Sequence, residues 1–355
     1  MSLEELRSKI DDADIKIVKL IAERMRIAEK IGEEKRKQGK QIEDIAREHL
    51  VLGNVRGAAR EEKISQENVE SIFQHIITAS KSVEGLTVAF QGEIGAYSEE
   101  AAFHFFEPSI QVKPCESLDD VFKTVEKGEA QFGIVPIENS LEGSISRSYD
   151  LLLNSSLKVC GETGLRVIHC LIANPGTRLD LIRKVYSHPQ ALGQCQVFLR
   201  HLDCELVPTY DTAGSVKMIK EKGITDGAAI ASTRAAEIYG MQIVAREIED
   251  NPNNFTRFFI LAEQDSPPSG NDKTSIVFSV KHRPGSLYEF LRELTSKNIN
   301  LTKIESRPTR QKAWEYNFYL DFEGHREDKA AKEALDNLEK TSLFVRVLGS
   351  YPKAK

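Results

Sequence analysis

Apolar residues recur at helical spacing through the first 84 residues of the chain. On the first predicted helix they follow alternating steps of three and four, at Leu3, Leu6, Ile10, Ala13, Ile17, Leu20, Ile27 and Ile31. This spacing places them on one side of a helix that runs unbroken to about residue 38. Such a helix would be roughly 57 Å long at 1.5 Å per residue, about twice the diameter of a small domain. We therefore expect its apolar side to pack against a second copy of the chain.

Two further helices are predicted in the same region, one over about 43–60 and one that begins at the N-cap Ser65. From residue 86 the pattern changes to short β-rich runs that alternate with helical segments. The runs cover 86–90, 132–137, 165–173, 185–187, 228–232, 242–245 and 255–261. This alternation predicts an α/β domain with a parallel or mixed sheet over 85–263.

A segment rich in Pro, Ser and Gly, QDSPPSGND at 264–272, predicts a linker. Beyond it the pattern gives strand, helix, strand, strand, helix and strand. This βαββαβ order is typical of a ferredoxin-like α+β domain, here over 273–355. The predicted molecule is thus multidomain, with an all-α region at 1–84, a central α/β region and an α+β region at the C-terminus.

Composition and charge exclude several classes of protein. The 355 residues contain 48 Lys plus Arg against 54 Asp plus Glu, a net charge of −6 without a long basic run, which argues against nucleic acid as a partner. No apolar run is long enough to span a membrane, and the charged N-terminus does not look like an export signal, so we expect a cytoplasmic protein. Five cysteines without a C-x-x-C pair and eight scattered histidines argue against a disulfide framework and against a metal site.

Charged residues interrupt the apolar side of the first helix. Arg24 lies on that side, three heptads after Leu3, and an unpaired buried guanidinium would cost several kcal/mol, so it should meet an anion. Lys35 is offset from Arg24 by only about 20° around the helix and shares its face, whereas Arg7 is offset by about 100°. Arg7 is therefore better placed to reach the pocket of a partner subunit.

The other two predicted helices add polar residues to the same interior. Asp44, Arg47 and Glu48 share a face of the second helix, and Ser80 and Glu84 extend the apolar stripe of the third. Any one of these residues could be a surface ion pair. As a set, several cations and hydrogen-bonding groups in a helical interior favour a small dianion as the ligand.

The motifs LRSKID, AER at 22–24, Lys35, DIAREH at 44–49 and IFQHIITAS at 72–80 resemble the all-helical chorismate mutase family over the whole of 1–84. That family forms helix-swapped dimers and rearranges chorismate to prephenate without a cofactor. The resemblance implies that the carboxylates are bound by Arg24, Arg47, Ser80 and the partner subunit's Arg7. Lys35 would bind the ether oxygen and a carboxylate, and Asp44 and Glu48 the hydroxyl region.

Glu84 departs from the mutase pattern. The family often has Gln at this position, which donates a hydrogen bond to the ether oxygen, and a carboxyl group can donate only when it is protonated. Either the pKa of Glu84 is raised in the pocket or mutase activity is weak near neutral pH.

Candidate ligand residues of the middle region follow predicted strands, where open α/β sheets bind their ligands. They lie in the loop QGEIGAYS at 91–98 and in PIENSLEGSI at 136–145, YSHPQALGQC at 186–195 and NNFTRFFIL at 253–261. Taken singly, each could be structural, and the loop could be a tight turn. Together the last three segments resemble prephenate dehydratase over about 86–262, a family with a two-lobed fold like that of type 2 periplasmic binding proteins.

The dehydratase resemblance implies a site for prephenate in the cleft between the lobes. Thr256 would be the leading catalytic residue, with Glu138, Asn139, Ser187 and Gln194 around the substrate and Arg257 as a carboxylate anchor. The reaction expels the ring hydroxyl together with carbon dioxide, so a donor must protonate or hydrogen-bond the departing oxygen. A threonine hydroxyl is a poor acid, and we expect Thr256 to position or relay a proton with a partner that the sequence does not identify.

Two segments of the C-terminal region resemble the ACT regulatory domain. They contain Gly285, Ser286 and Leu287 in RPGSLYEFL, and Glu305, Ser306, Arg307 and Pro308 in ESRP. The resemblance implies that they bind phenylalanine at a dimer interface, with Ser286 in place of the usual alanine. An ordinary helix start would explain Gly285 equally well.

These readings favour a bifunctional mutase and dehydratase that acts on chorismate and prephenate, needs no cofactor and is inhibited by phenylalanine. It should be a homodimer or a dimer of dimers. One alternative is a dehydratase that prefers arogenate. Another is a non-catalytic regulator that binds an effector, but such a protein should carry a basic DNA-binding helix, and the charges of residues 1–84 are nearly balanced.

Overall fold

The computed structural model describes residues 2–37, 45–84, 86–106, 110–309 and 315–354. Its N-terminal part is a helical module of three helices, α1 (Leu3–Lys37), α2 (Ile45–Glu61) and α3 (Gln66–Glu84). Helices α1 and α2 both pack on α3. The N-cap predicted at Ser65 is present, since the Ser65 hydroxyl accepts a hydrogen bond of 3.3 Å from the Asn68 amide. The predicted beginning of the second helix lies outside the described residues.

The apolar side of α1 remains largely open in the single chain. Leu3, Ile10, Leu20 and Ile27 are each more than half exposed. Water contact at several large aliphatic side chains on one helix face is unfavourable, and such faces are usually covered in an assembly. The second copy expected for this face stays a prediction. No helix in the described part of the chain has the length and apolar character needed to cross a membrane.

The middle module contains two sheets. The first has six strands in the order β2-β1-β3-β11-β5, with β4 added to β3. Its strands are β1 (Thr87–Gln91), β2 (Gln111–Cys115), β3 (Phe132–Asn139), β4 (Gly143–Ser144), β5 (Lys158–Arg166) and β11 (Phe255–Ala262). The second sheet has the order β10-β6-β9-β7-β8. Its strands are β6 (Cys170–Ala173), β7 (Lys184–Ser187), β8 (Glu205–Pro208), β9 (Gly227–Ala231) and β10 (Gln242–Ala245).

Helices connect the strands of both sheets, as the alternating pattern predicted. They are α4 (Tyr97–Phe106), α5 (Leu118–Glu126), α6 (Ser146–Asn154), α7 (Pro189–Gly193), α8 (Gln196–Leu199), α9 (Thr212–Lys222) and α10 (Thr233–Tyr239), with a 3₁₀ turn at Leu179–Leu181. In the second sheet β7 is parallel to β8 and β9, while β6 is antiparallel to β9 and β10. The sheet is therefore mixed.

The chain crosses between the two sheets at 167–169 and returns at 246–254. The crossings run side by side, because the Val167 amide donates to the Asn254 carbonyl and the Ile248 amide donates to the His169 carbonyl. The run 165–173, predicted as one strand, is thus two strands in different sheets. An apolar run without Gly or Pro gives no local sign of such a break.

The C-terminal module has the predicted βαββαβ order. Its elements are β12 (Asp272–Ser279), α11 (Ser286–Ser296), β13 (Leu301–Pro308), β14 (Tyr316–Glu323), α12 (Lys329–Thr341) and β15 (Phe344–Pro352). The strands form an antiparallel sheet in the order β13-β14-β12-β15. One face packs on α11 and α12 through Phe278, Phe290 and Phe322.

The opposite face of this sheet packs on the first sheet of the middle module. Val277, Tyr319 and Tyr351 share one buried core with Val135 and Phe259. Strands β15 and β5 come so close that a Cβ at position 349 would lie 2.0 Å from the Val159 carbonyl oxygen, so only Gly349 fits there. The segment between β11 and β12, predicted as a linker, is held on both sides. Ser266 donates to the Cys160 carbonyl at 2.5 Å, and Arg326 pairs with Asp265 at 2.6 Å.

Candidate functional site

A pocket opens between the two sheets of the middle module. It is lined by residues from all four segments that the sequence singled out, among them Gly92, Tyr97, Ser98, Asn139, His188, Gln190, Gln194, Thr256 and Phe258. Outside those segments the lining includes the crossover residues Val167 and His169 and the residues just before and at the start of α9, Tyr210, Asp211 and Thr212. The pocket therefore lies where strand ends and helix starts of both sheets meet.

Thr256 and Asn139 form the centre of the site. They are directly paired on the antiparallel strands β11 and β3, so their side chains emerge on the same face of the sheet. Both are buried, and Asn139 Nδ2 donates to Thr256 Oγ1 at 3.0 Å. The orientation of the Asn139 amide is fixed because its Oδ1 accepts from the backbone amides of Leu141 and Glu142. With Asn139 as the donor, the hydroxyl hydrogen of Thr256 is free to point into the pocket.

A chain of hydrogen bonds continues from this pair. Asn139 Nδ2 also donates to Asn254 Oδ1 at 2.7 Å, and Asn254 Nδ2 donates to Gln194 Oε1 at 2.9 Å. Gln194 Oε1 lies 3.0 Å from His169 Nε2, and His169 Nδ1 lies 2.9 Å from the Tyr97 hydroxyl. The network joins Asn139 and Thr256 of the first sheet to both crossovers, through Asn254 and His169, and to Gln194 at the end of α7, so it connects Thr256 to both lobes around the cleft.

Burial determines the protonation of His169. Its ring is almost completely enclosed, and this burial lowers the pKa of His169, so the ring is neutral near pH 7. A neutral imidazole has one N–H, and the Gln194 carbonyl oxygen requires it on Nε2. Nδ1 is then an acceptor. The single hydrogen of the Tyr97 hydroxyl is shared between the Ile168 carbonyl oxygen at 2.7 Å and His169 Nδ1 at 2.9 Å.

The electrostatic character of the pocket is unusual for a site that is expected to hold a dianion. Among its described lining residues Asp211 is the only acid, and neither Lys nor Arg contributes. Asp211 caps α9 by accepting from the Gly214 amide at 2.6 Å. Burial, with help from Glu93, raises the pKa of Asp211 despite that bond. Anion-binding capacity must come mainly from hydroxyls, amides and the helix N-termini of α4 and α9.

The structure places three of the predicted cleft residues elsewhere. Ser187 is fully buried and donates to the Ile230 carbonyl at 2.7 Å, so it joins β7 to β9. Glu138 and Arg257 neighbour Asn139 and Thr256 in sequence, and successive side chains of a strand point to opposite faces. Both are therefore on the far side of the sheet, where they contact the C-terminal module. Gln194, Asn139 and Thr256 do lie in the pocket.

In the helical module the structure brings together Arg24 and Ser80. The Arg24 guanidinium donates to the Ser80 hydroxyl and, at 3.3 Å, to the Ile76 carbonyl, and Ser80 is buried. No ion pair joins Arg24 to a described acidic side chain. Arg7 is exposed on α1, roughly 25 Å along the helix from Arg24, which is too far for one ligand to contact both within a chain.

The remaining mutase candidates can be placed only by their backbones. Lys35, Arg47, Glu48 and Glu84 belong to α1, α2 and α3, but their side chains lie outside the described part of the structure. Asp44 lies outside the described residues altogether.

A second pocket lies in the C-terminal module, where β12 leads into α11. Ser286 and Leu287 line it together with His282, Arg283 and Tyr316. Gly285 precedes the helix with φ of +85°, a conformation that favours glycine. Ser286 is buried, and its hydroxyl accepts from Arg283 Nε at 3.3 Å.

The ESRP residues divide between the two faces of β13. Glu305 and Arg307 face the middle module, where Glu305 accepts from the Ser144 hydroxyl and Arg307 lies 4.0 Å from Asp150. Ser306 and Pro308 point to the opposite face, where they are paired with Phe318 and Tyr316 of β14. Both of these aromatic residues line the second pocket. Of the ESRP motif, only Ser306 and Pro308 are therefore on the side where this pocket lies.

Among the residues of the cleft and its hydrogen-bond network that sequence reasoning did not select are Tyr97, His169, Asn254 and Asp211. Tyr97 and Asn254 fall inside segments that were singled out, but neither was selected. His169 sits in a run that was read as one strand, and its polarity within that run was the available signal. Asp211 precedes a helix, and its capping function hides its position at the pocket.

Comparison with known proteins agrees with this arrangement. Three family models match in order: chorismate mutase type II over residues 6–85, prephenate dehydratase over 88–266 and the ACT domain over 274–340. A bifunctional chorismate mutase/prephenate dehydratase of Aquifex aeolicus is 39% identical over 359 residues, which cover 99% of this chain and 98% of the relative. This chain belongs to the bifunctional chorismate mutase/prephenate dehydratase family. It is an enzyme with a mutase domain and a dehydratase domain, followed by an ACT domain.

Two further matches cover three quarters of this chain. An arogenate dehydratase/prephenate dehydratase 2 of Arabidopsis thaliana is 47% identical over 276 residues, covering 75% of this bifunctional chain and 72% of the plant protein. The crystal structure of a prephenate dehydratase from Arthrobacter aurescens in complex with L-Phe is 32% identical, with a TM-score of 0.69 over 75% of this chain and 90% of that one. The two-lobed fold and the C-terminal ACT fold predicted from sequence are confirmed.

Proposed function

We propose that the helical module rearranges chorismate to prephenate and that the cleft converts prephenate to phenylpyruvate, with Thr256 as the residue that acts on the departing hydroxyl. The observation that carries the second assignment is the hydrogen bond from Asn139 to Thr256. It occupies the threonine oxygen as an acceptor and leaves its hydrogen for the substrate.

The dehydratase reaction breaks two bonds of prephenate. The carbon–carbon bond to the ring carboxylate breaks to release carbon dioxide, and its electron pair makes the ring aromatic. The ring hydroxyl leaves from the opposite carbon and takes up one proton from solvent to become water. Thr256 donates a hydrogen bond to this oxygen as negative charge develops on it. Tyr97 and Ser98 at the start of α4 and Thr212 at the start of α9 line the pocket, and their backbone amides are our candidates for binding the substrate carboxylates.

The mutase reaction needs no proton transfer, because it is an intramolecular rearrangement. The protein has to hold the reactive conformer and stabilise negative charge on the ether oxygen. Arg24, oriented by Ser80, is the described residue that supports this function best. We assign the partner subunit's Arg7 to the same pocket, because the exposed apolar side of α1 and the distance along that helix favour a dimer.

Phenylalanine, the ligand named for the Arthrobacter aurescens structure, is our proposed inhibitor. The pocket at the start of α11 offers backbone amides at a helix N-terminus for a carboxylate and the apolar side chains of Leu287 and Phe318 for a ring. Ser286 and Gly285 lie at that helix start. The cytoplasmic location expected from the sequence stays a prediction.

The direct test is to incubate the purified full-length chain with chorismate and to follow prephenate and phenylpyruvate by chromatography. Both products should form in sequence, and phenylalanine should slow the second step. Accumulation of prephenate without phenylpyruvate would contradict the assignment of the cleft. If the protein consumed supplied prephenate but not chorismate, the assignment of the helical module would be contradicted.

A second candidate function is dehydration of arogenate, the α-amino analogue of prephenate. The charge of the pocket favours it, because Asp211 is the only described charged residue in its lining and an ammonium group would offset that charge. Asp211→Asn keeps the capping ability, since Asn and Asp are equivalent N-caps. If Asp211 contacts the amino group, kcat/KM for arogenate should fall by about 10-fold or more while that for prephenate holds or rises.

The matched control is Asp328→Asn, the same substitution just before α12 of the ACT domain. It should change neither rate. Equal effects of Asp211→Asn on both substrates would remove Asp211 as a determinant of substrate choice and leave prephenate as the substrate.

A further inference from the structure

The two residues that carry the proposed dehydratase chemistry have neighbours that point the other way. Thr256 is paired with Asn139 across β11 and β3, and the next pair along the same strands is Arg257 with Glu138. The first pair faces the cleft and the second faces the ACT sheet. A β-bulge follows directly after Arg257, where the register shifts. Bulges of this kind re-aim side chains next to functional sites.

Each residue of the second pair meets a partner of opposite charge in the ACT sheet. Arg257 Nη1 lies 2.7 Å from Asp321 Oδ2 on β14, and Glu138 Oε2 lies 2.6 Å from Lys303 Nζ on β13. The partners are themselves neighbours, since Lys303 is paired with Asp321 across these two strands. Two adjacent charges on one sheet thus face two adjacent opposite charges on the other. We call Glu138, Arg257, Lys303 and Asp321 the interdomain clamp.

Three of the four clamp side chains are enclosed, and the fourth, Glu138, is 37% exposed. The side chains of Asp321, Lys303 and Arg257 are 8%, 11% and 20% exposed. Breaking the enclosed Arg257–Asp321 pair at one partner is costly, because a buried charge then loses a partner. Lys303 also lies 3.6 Å from Glu305, so its pair with Glu138 is part of a cluster of three charges. These ion pairs therefore hold the two sheets in one arrangement instead of letting them slide.

Arg257 is also tied to its own domain. Its guanidinium bonds Glu162 on β5 at 2.6 Å, and Lys273 of the ACT domain binds the other oxygen of that carboxylate at 2.8 Å. Burial by itself would lower the pKa of Arg257, but the Asp321 and Glu162 carboxylates outweigh that effect and raise it. Arg257 stays charged, so the link persists across the working pH range.

The strands that hold the clamp in the ACT sheet also reach its pocket. Tyr316 and Phe318 line that pocket and lie on β14, the strand of Asp321. Ser306 lies on β13, the strand of Lys303, opposite Phe318. A ligand that shifts these strands at one end moves the clamp partners at the other, and packed sheets respond as units rather than by local deformation.

We propose that the interdomain clamp positions Asn139 and Thr256 for dehydration and that an effector in the ACT pocket controls the reaction through it. Glu138 and Arg257 are then positioning residues and not substrate ligands. This proposal rests on the proposed role of Thr256 and on phenylalanine as the effector.

The test uses the full-length chain with Glu138→Gln, Lys303→Gln and the double substitution. Without effector, each single variant should lose about 10- to 100-fold in kcat with KM little changed, since a small misplacement of the catalytic group has that effect. The double variant should lose no more than either single one, because the pair acts as a unit. Lys303→Arg, which keeps the charge, should retain most of the activity.

The second readout is the effect of phenylalanine. Its dissociation constant, measured by calorimetry without substrate, should stay within about twofold in the variants. We define the phenylalanine factor as the ratio of the substrate dissociation constants with and without phenylalanine. In the variants this factor should fall from a typical ~5- to 150-fold towards one. A purely structural role for the clamp would lower the melting temperature and leave both kcat and this factor unchanged, and that result would overturn the proposal.

Two further variants make the outcome decisive. Glu333→Gln breaks the pair with Lys297 between α11 and α12 of the same domain, at 3.0 Å, and should change neither readout. Asp321→Asn is nearly isosteric and serves if the Gln variants fail to fold. Unchanged kcat and unchanged inhibition in a folded Asp321→Asn protein would refute the clamp.

The same assays separate this proposal from the one on which it rests. Full activity in Thr256→Val would refute the role of Thr256. If Thr256 proves not to be catalytic, the clamp can still be tested, because the phenylalanine factor is measured from the dehydratase activity that the clamp variants retain.

Discussion

The helical module and the dehydratase cleft are both assigned a dicarboxylate, but they are built on opposite principles. In the helical module Arg24 and Ser80 lie against one another, while the long apolar side of α1 remains open to water. In the cleft Asn139, Thr256, Gln194 and His169 form a connected network within one chain. The first site uses full positive charges, and the second is lined by hydroxyls and amides without a described Lys or Arg.

The difference in charge between the two sites follows from which parts of the protein enclose each site. Two sheets of one chain enclose the cleft, so neutral dipoles can be fixed in place before the ligand arrives. A three-helix module offers little interior for that, and we expect a second copy to supply the rest. We therefore expect the mutase to depend on assembly and the dehydratase to depend on the register of its strands.

The largest expected effect separates the two activities. Arg24→Ala should lower mutase activity by at least ~10²- to 10³-fold, the usual loss when one preorganised donor to a developing anion is removed. Dehydration of supplied prephenate should stay within about twofold, because the hydrogen bonds of Arg24 to described residues, Ile76 and Ser80, lie within the helical module. Parallel loss of both activities in a folded protein would show that the two sites are not independent.

On the dehydratase side, Thr256→Val keeps the shape of the side chain and removes its hydroxyl. Dehydratase turnover should fall at least ~100-fold with little change in KM, while the mutase is unaffected. Thr256→Ser should keep much of the activity, since Asn139 can donate to either hydroxyl. Equal losses in the Val and Ser variants would indicate that the residue acts by packing.

Assembly should matter to one site only. Ile17→Asp introduces a charge on the exposed side of α1 and removes a contact worth about 1.5–3 kcal/mol per side chain. The dimer dissociation constant should rise by roughly 10- to 150-fold, with mutase activity lost on dilution. Ultracentrifugation measures the first effect and a dilution series the second. Lys16→Asp, one residue earlier, is the matched surface control. A mutase that is indifferent to both would contradict the shared site.

The smallest expected effect is a difference in pH dependence. Burial lowers the pKa of His169, so the folded chain keeps this ring neutral at pH values where the unfolded chain is already protonated. His169 therefore adds no pH dependence above its ordinary pKa of about 6.5, and it costs stability only as the pH falls below that value. Because His169 is neutral over this range, the rate of dehydration should change by less than about twofold between pH 7 and 8.

Mutase activity should behave differently over the same range. If Glu84 must be protonated to donate to the ether oxygen, the rate falls as the pH rises through its pKa, and Glu84→Gln removes that slope. The two pH–rate profiles of one protein measure this contrast directly. An unchanged mutase profile in the Gln variant would exclude Glu84 from the reaction.

Local sequence patterns were sufficient to predict much of this architecture. The heptad-like spacing of α1, the N-cap Ser65 and the βαββαβ order need only neighbouring residues to be recognised. The segments that contain Asn139, Gln194 and Thr256 were selected by their resemblance to the prephenate dehydratase family, and the structure brings these three residues together. Tyr97, His169, Asn254 and Asp211 could not be selected in the same way, since each looks locally like a residue of a strand, a loop or a helix cap.

What the sequence by itself determined is the order of elements and the segments from which the sites are built, because hydrophobic periodicity and capping act over a few residues. The tertiary structure alone decided which face each residue serves. Arg257 and Glu138 adjoin Thr256 and Asn139 in sequence, yet they bind Asp321 and Lys303 on the other side of the sheet. That outcome depends on the pairing register of β3 and β11, on the bulge between them and on the ACT sheet packed behind. Each of these is a contact between distant parts of the chain.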